Sequence, residues 1–293
     1  MRIILPAAIL AATLAGSASA QQIDWKKVDE AIGRTAAVSG DVHRYGFPRS
    51  DLQVTLEGVT IKPALALGGW VAFKPAHGGV MIMGDLVLLQ SEVNPVMAKL
   101  VQAGVDITAI HNHLLRAEPL TFYMHVGGHG DAEKLAQAIR TGLAESKTPP
   151  AAPPPAQQPA IDLDTAQLDQ IIGVKGNANG GVYGFAVPRR DAINENGMAL
   201  MPAGPLGMAT AINFQPTGNA KAAITGDFVL SAAEVNPVLR ILRQSGIEVT
   251  ALHSHMLDEQ PRLFFMHFWA NDDAVKLAKA LRSALDKMAV GKS

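Results

Sequence analysis

The histidines are the residues of this sequence best suited to chemistry. There are nine of them and no cysteine, which removes disulfides, thiolate nucleophiles and thiolate metal ligands together. A metal ion would have to be held by imidazole nitrogen and carboxylate oxygen. His111 and His113 are separated by one residue, His125 follows after eleven more, and His129 lies four beyond it. That spacing suits an imidazole-rich site for a divalent ion, Zn²⁺ or alternatively Cu²⁺. His43, His77, Asp85, Glu118 and Asn94 are further pocket candidates from the same half of the chain. Glu92 is the candidate catalytic base, taking a proton from a metal-bound water. Its simpler role is to place negative charge at a helix N-terminus. Met81, Met83 and Met124 would suit copper, although methionines on strands more often fill cores.

The elements that must position these groups follow from periodicity and punctuation. Asp106 to His113 reads as a strand, so alternation puts His111 and His113 on one face. Pro119 marks a turn, and Leu120 to Val126 reads as the returning strand that carries His125 back beside the pair. Asn94 followed by Pro95 predicts a cap and first turn of a helix that ends near Gly104. Gly79 to Leu89 and Trp70 to Lys74 are strand-like. Asp131 opens a last amphipathic helix with Leu135, Ala138, Ile139 and Leu143 on one face. Strand, helix, strand, strand, helix is an α+β order with a largely antiparallel sheet.

The same order occurs twice. With a shift of 142, Gly84–Arg140 aligns without gaps to Gly226–Arg282, and 28 of the 57 positions are identical. Such self-similarity is the mark of tandem duplication and predicts two modules related by pseudo-twofold symmetry. His253, His255, His267 and Glu234 are the second-module counterparts of His111, His113, His125 and Glu92. Asn271 stands opposite His129 and Gln260 opposite Glu118, so module two is expected to be a degenerate copy with weaker metal affinity. The modules span 21–147 and 161–293. A proline-rich spacer over 148–160 separates them and is expected to be extended.

The blocks Gly84-Asp85, Glu92-Val93-Asn94-Pro95, His111-Asn112-His113 and Pro119 to His125 resemble the LppY/LpqO family of exported bacterial proteins of unassigned function. The resemblance covers most of the mature chain and implies an envelope location but no reaction. The lipid-attachment cysteine is missing here, so the lipoprotein part of the family description does not carry over.

Residues 1–20 read as a signal peptide. Arg2 precedes an apolar run from Ile3 to Leu14, and Ala18-Ser19-Ala20 supplies the small-residue cleavage pattern. The run is shorter than the roughly 20 residues a bilayer span needs. A periplasmic or secreted protein with no membrane span after cleavage is expected. A formal net charge of −1 with no basic stripe argues against nucleic acid as a partner. Nucleophile-elbow, phosphate-loop and dinucleotide motifs are all missing. Two functions fit. One is a metal-binding pocket in module one, with hydrolysis as the economical chemistry. The other is a non-catalytic envelope module that binds a small molecule or a protein, its histidines forming a hydrogen-bonded structural network.

Overall fold

A computed structural model describes residues 23–151 and 157–291. The expected signal peptide and residues 152–156 of the spacer lie outside the described residues.

Module one begins with α1 (Trp25–Ile32), β1 (Ala37–Ser39) and β2 (Val42–Pro48). A short hairpin, β3 (Thr55–Leu56) and β4 (Val59–Thr60), and one turn of helix, α2 (Pro63–Ala66), lead to the long strands β5 (Gly68–Ala76) and β6 (Gly79–Leu89). Then come α3 (Gln90–Gln102), β7 (Asp106–His111), β8 (Thr121–Gly130) and α4 (Ala132–Leu143). Module two repeats the series: α5 (Thr165–Ile172), β9 (Asn177–Asn179), β10 (Val182–Pro188), β11 (Asn194–Glu195), β12 (Met198–Ala199), β13 (Ala209–Gly218) and β14 (Lys221–Ser231). It closes with α6 (Ala232–Gln244), β15 (Glu248–His253), β16 (Leu263–Asp273) and α7 (Ala274–Leu285). Each module holds one six-stranded sheet, ordered β1-β2-β5-β6-β8-β7 and β9-β10-β13-β14-β16-β15, with every neighbouring pair antiparallel. The two halves are thus one α+β fold built twice.

Residue parity on the central strands explains where the sheets sit. On β6, Val80, Ile82, Leu86 and Leu88 pack under α1, α3 and α4, with Val28, Val96, Leu100, Leu135 and Ile139 opposite them. The alternate residues Met81 and Met83 instead join a cluster with Val229, Met256 and Phe265 of module two. Val87 and Tyr123 join another that includes Ala223 and Trp269. Each sheet therefore buries one face under its own helices and the other against the partner module. A strand covered on both faces needs a nearly continuous apolar run rather than alternation, and Gly79 to Leu89 is such a run. Asp85, His125, Asp227 and His267 fall on the inter-module parity, opposite to that of Met124 and Met266.

Two local expectations change. The third helix starts at Gln90 rather than at Asn94, which is an exposed helical residue, and Pro95 lies inside the helix. Glu92 sets the start by reaching back to accept the Leu89 N–H at 2.8 Å, the carboxylate half of a capping box. Strand β7 ends at His111, with a bulge between Ile107 and Ala109, so His113 is placed by the segment that follows rather than by strand parity.

Candidate metal centre between the modules

Six histidines meet where the two sheets face each other, three from each module. His111 stacks on His253 at 3.5 Å between ring centroids. His113 stacks on His267, and His125 on His255, each at 3.7 Å. The last two pairs exchange under a shift of 142, as a twofold axis requires. The His125 and His111 Nε2 atoms are 2.9 Å apart. The outer faces are closed by aromatic rings at equivalent positions: Tyr123 lies 3.4 Å from His113 and Phe265 lies 3.4 Å from His255.

The histidine loops are held by the opposite module. Thr108 Oγ1 donates to the His255 carbonyl at 2.5 Å, and Thr250 Oγ1 donates to the His113 carbonyl at 2.6 Å. The ring orientations are also anchored. His267 Nδ1 lies 2.8 Å from the Gly226 carbonyl, and His253 Nδ1 lies 3.2 Å from that of Ser254. An imidazole that donates Nδ1–H to a carbonyl turns its Nε2 lone pair toward the centre, the usual arrangement behind a metal ligand.

Two carboxylates complete the cluster. Asp85 Oδ2 is 3.7 Å from His113 Nε2, and Asp227 Oδ2 is 3.4 Å from His255 Nε2. Burial pushes the Asp85 carboxyl up to about 7 against the opposing pull of Arg44. Burial, then Asp85 itself, raises Asp227 well above the carboxylate range. The imidazoles shift the other way. Burial, then His253, lowers His111 to about 3, and burial lowers His253 to about 4. Burial followed by neighbouring histidines holds His113, His125, His255 and His267 well below 6.5. Six neutral imidazoles facing one another are in the protonation state a metal requires.

The strongest sign of a cation site is the set of buried polar atoms without partners. The Nε2 atoms of His113, His253, His255 and His267 and the Oδ1 atoms of Asp85 and Asp227 are buried and accept or donate no hydrogen bond within the protein. Buried polar groups are nearly always satisfied, and here six unsatisfied atoms share one locus. Three sets of ligand atoms lie within 4.8 Å of one another: His111, His125, His253 and His255; His111, His113 and His267; and Asp227, His255 and His267. Beside them is a cavity of about 240 Å³, whose walls include Arg44, Trp70, Asp85, His113, Asp227 and His267. The Arg44 guanidinium lies over the Trp70 ring at 3.8 Å, a cation–π contact.

Several expected site residues are elsewhere. His129 shares the face of His125, but it is exposed and four residues further along β8, about 13 Å away at strand rise. His77 is exposed on the β5–β6 turn, and His43 stacks on Trp25 at 3.5 Å. Glu118 is an exposed residue whose backbone pairs with Thr55. Glu92 is not a base facing a metal. Its carboxylate binds fully buried Arg49 at 2.6 Å and accepts the N–H groups of Leu89 and Lys147. Glu234 does the same with Arg189, Ser231 and Ala289. Met81 and Met83 fill a core cluster, and Met124 faces the helices. Module two is no degenerate half, since His253, His255 and His267 supply as many imidazoles as module one. Sequence reasoning leaves Asp227 open between facing the pocket and ending a strand pair, and it passes over Arg44, Trp70 and the two threonines. The Gly-Asp pair repeated at Gly84-Asp85 and Gly226-Asp227 was the available signal for Asp227.

The family model described as Domain of Unknown Function (DUF1259) matches the chain twice, over residues 26–145 and 166–287. No curated protein matches it. Among solved structures, the trimeric bacterial microcompartment shell protein PduB is similar at 13% identity over 86% of this chain and 90% of that one, with a TM-score of 0.21. EtuB from Clostridium kluyveri is similar at 9% identity over 86% and 90%, with a TM-score of 0.19. Likenesses at this level carry no functional argument.

Proposed function

The chain belongs to the DUF1259 family, carrying its domain twice, and on that premise we propose that the interface between the two copies is a divalent transition-metal site of an exported hydrolase. The observation that carries the metal is the convergence of buried, unpartnered imidazole nitrogens and carboxylate oxygens from both modules. A ligand set of imidazole and carboxylate without sulfur suits Zn²⁺, with Cu²⁺ as the alternative. A bound ion would supply a water of lowered pKa. Glu92, tied to Arg49, does not face the centre, and Asp85 and Asp227 are the carboxylates that do. Asp85 stands beside His113 and His125, with an oxygen 3.7 Å from one and 3.9 Å from the other. The adjoining cavity gives a small substrate access to the centre. Export to the periplasm is supported by the signal-peptide pattern at residues 1–20, and membership of the LppY/LpqO group remains part of this reading. No described helix is long and apolar enough to cross a membrane.

Metal analysis of tag-free, full-length protein exported with its own leader tests the proposal. Zinc or copper should copurify or reload after chelation. Protein that neither retains nor takes up either ion contradicts it.

A further inference from the structure

We infer that the centre holds two metal ions, each in a three-histidine site that draws on both modules. The inference rests on the metal reading above and deepens it. His111, His113 and His267 have ligand atoms within 4.8 Å of one another. The duplication maps these residues onto His253, His255 and His125. Those three also lie within 4.8 Å of one another, as part of the four-histidine set. The two triads share no residue and use all six histidines once. Each takes the His-x-His pair of one module and the strand histidine of the other.

The carboxylates fit the same division. Asp85 has one oxygen 3.7 Å from His113 of the first triad and the other 3.9 Å from His125 of the second. Asp227 has one oxygen 3.4 Å from His255 Nε2 of the second triad, and its other oxygen lies 4.0 Å from His267 Nδ1, the nitrogen turned to the Gly226 carbonyl. Asp85, with one oxygen toward the ligand nitrogen of each triad, is placed to bridge two cations. A single ion would leave at least two of the buried imidazoles with nothing to bind, because six nitrogens exceed a four-coordinate sphere. The triads touch, with the Nε2 atoms of His111 and His125 2.9 Å apart, so the ions would be close neighbours. Two-metal hydrolytic sites use such pairs at about 3.5–4 Å.

The test is a titration of metal-free, full-length protein with Cu²⁺ alone, read by calorimetric stoichiometry and electron paramagnetic resonance. The wild type should bind two ions per chain, with the isolated-Cu²⁺ signal suppressed by coupling at full loading. His113→Ala, in the first triad, and His255→Ala, in the second, should each bind one ion and show the full isolated signal. His113→Gln and His255→Gln run alongside in case an alanine variant does not fold. One ion per wild-type chain would overturn the two-ion inference and leave a single-metal centre standing, and either variant retaining two ions would overturn the division into these two triads. No binding at all would overturn both readings.

Discussion

Gly84 and Gly226 stand immediately before the two site aspartates, and neither position has room for a side chain. A Cβ on Gly84 would lie 2.7 Å from the Trp70 carbonyl oxygen, and one on Gly226 would lie 2.0 Å from that of Ala211. Backbone cannot yield as a flexible side chain does. Gly226→Ala should therefore cost about 1–3 kcal/mol or more in urea unfolding, and it should weaken metal binding by displacing Asp227. Glu92 makes the opposite case, a carboxylate with a structural duty and no role at the centre. Glu92→Gln removes one partner of a buried guanidinium, and loss of about 3 kcal/mol is expected. Its metal content should equal that of the wild type. Reduced metal in a folded Glu92→Gln protein would restore the catalytic reading of Glu92.

Strands and hairpins were largely legible in the residue pattern, and Gly79 to Leu89 is a strand with those bounds. The start of α3 was misplaced because Asn94-Pro95 looks like a cap. In module two, Ser231 with Glu234 three residues later is the recognisable Ser-x-x-Glu box, whereas module one has Leu89 at the equivalent place. Of the histidines unique to module one, His77 and His129 are exposed. The trio common to both copies builds the centre. What faces a sheet is not written in its own periodicity. The unbroken apolar run of β6 announces that both faces are covered without saying that a second module covers one of them. The threonines on β7 and β15 follow from that packing. Thr108→Val and Thr250→Val remove the bonds that hold the opposite histidine loop, and each should weaken Zn²⁺ affinity by about 10-fold or more, measured by competition with a chromogenic chelator.

Across the whole molecule the duplication turns two weak corners into one enclosed centre, and the same doubling sets the acid sensitivity. Burial would raise Glu92, but Arg49 and the amides of Lys147 and Leu89 outweigh it and hold the carboxyl below 4.5. Glu234 is held down in the same way by Arg189 and the amides of Ser231 and Ala289. A folded-state pKa below the unfolded one contributes stability that is present above about 4.5 and is lost as pH falls through the folded value. The urea midpoint should therefore drop below pH 4.5. The drop should be smaller in the Glu92→Gln, Glu234→Gln double variant, and an equal drop would show that other groups govern it.

The central claim is that both modules furnish ligands to one centre. Metal content of the His253→Ala, His255→Ala, His267→Ala triple variant tests it most directly, with folding checked by circular dichroism. Each triad then keeps at most two imidazoles, and the account predicts no tightly bound metal after dialysis. Wild-type metal content in that variant would place the site in module one alone and contradict it.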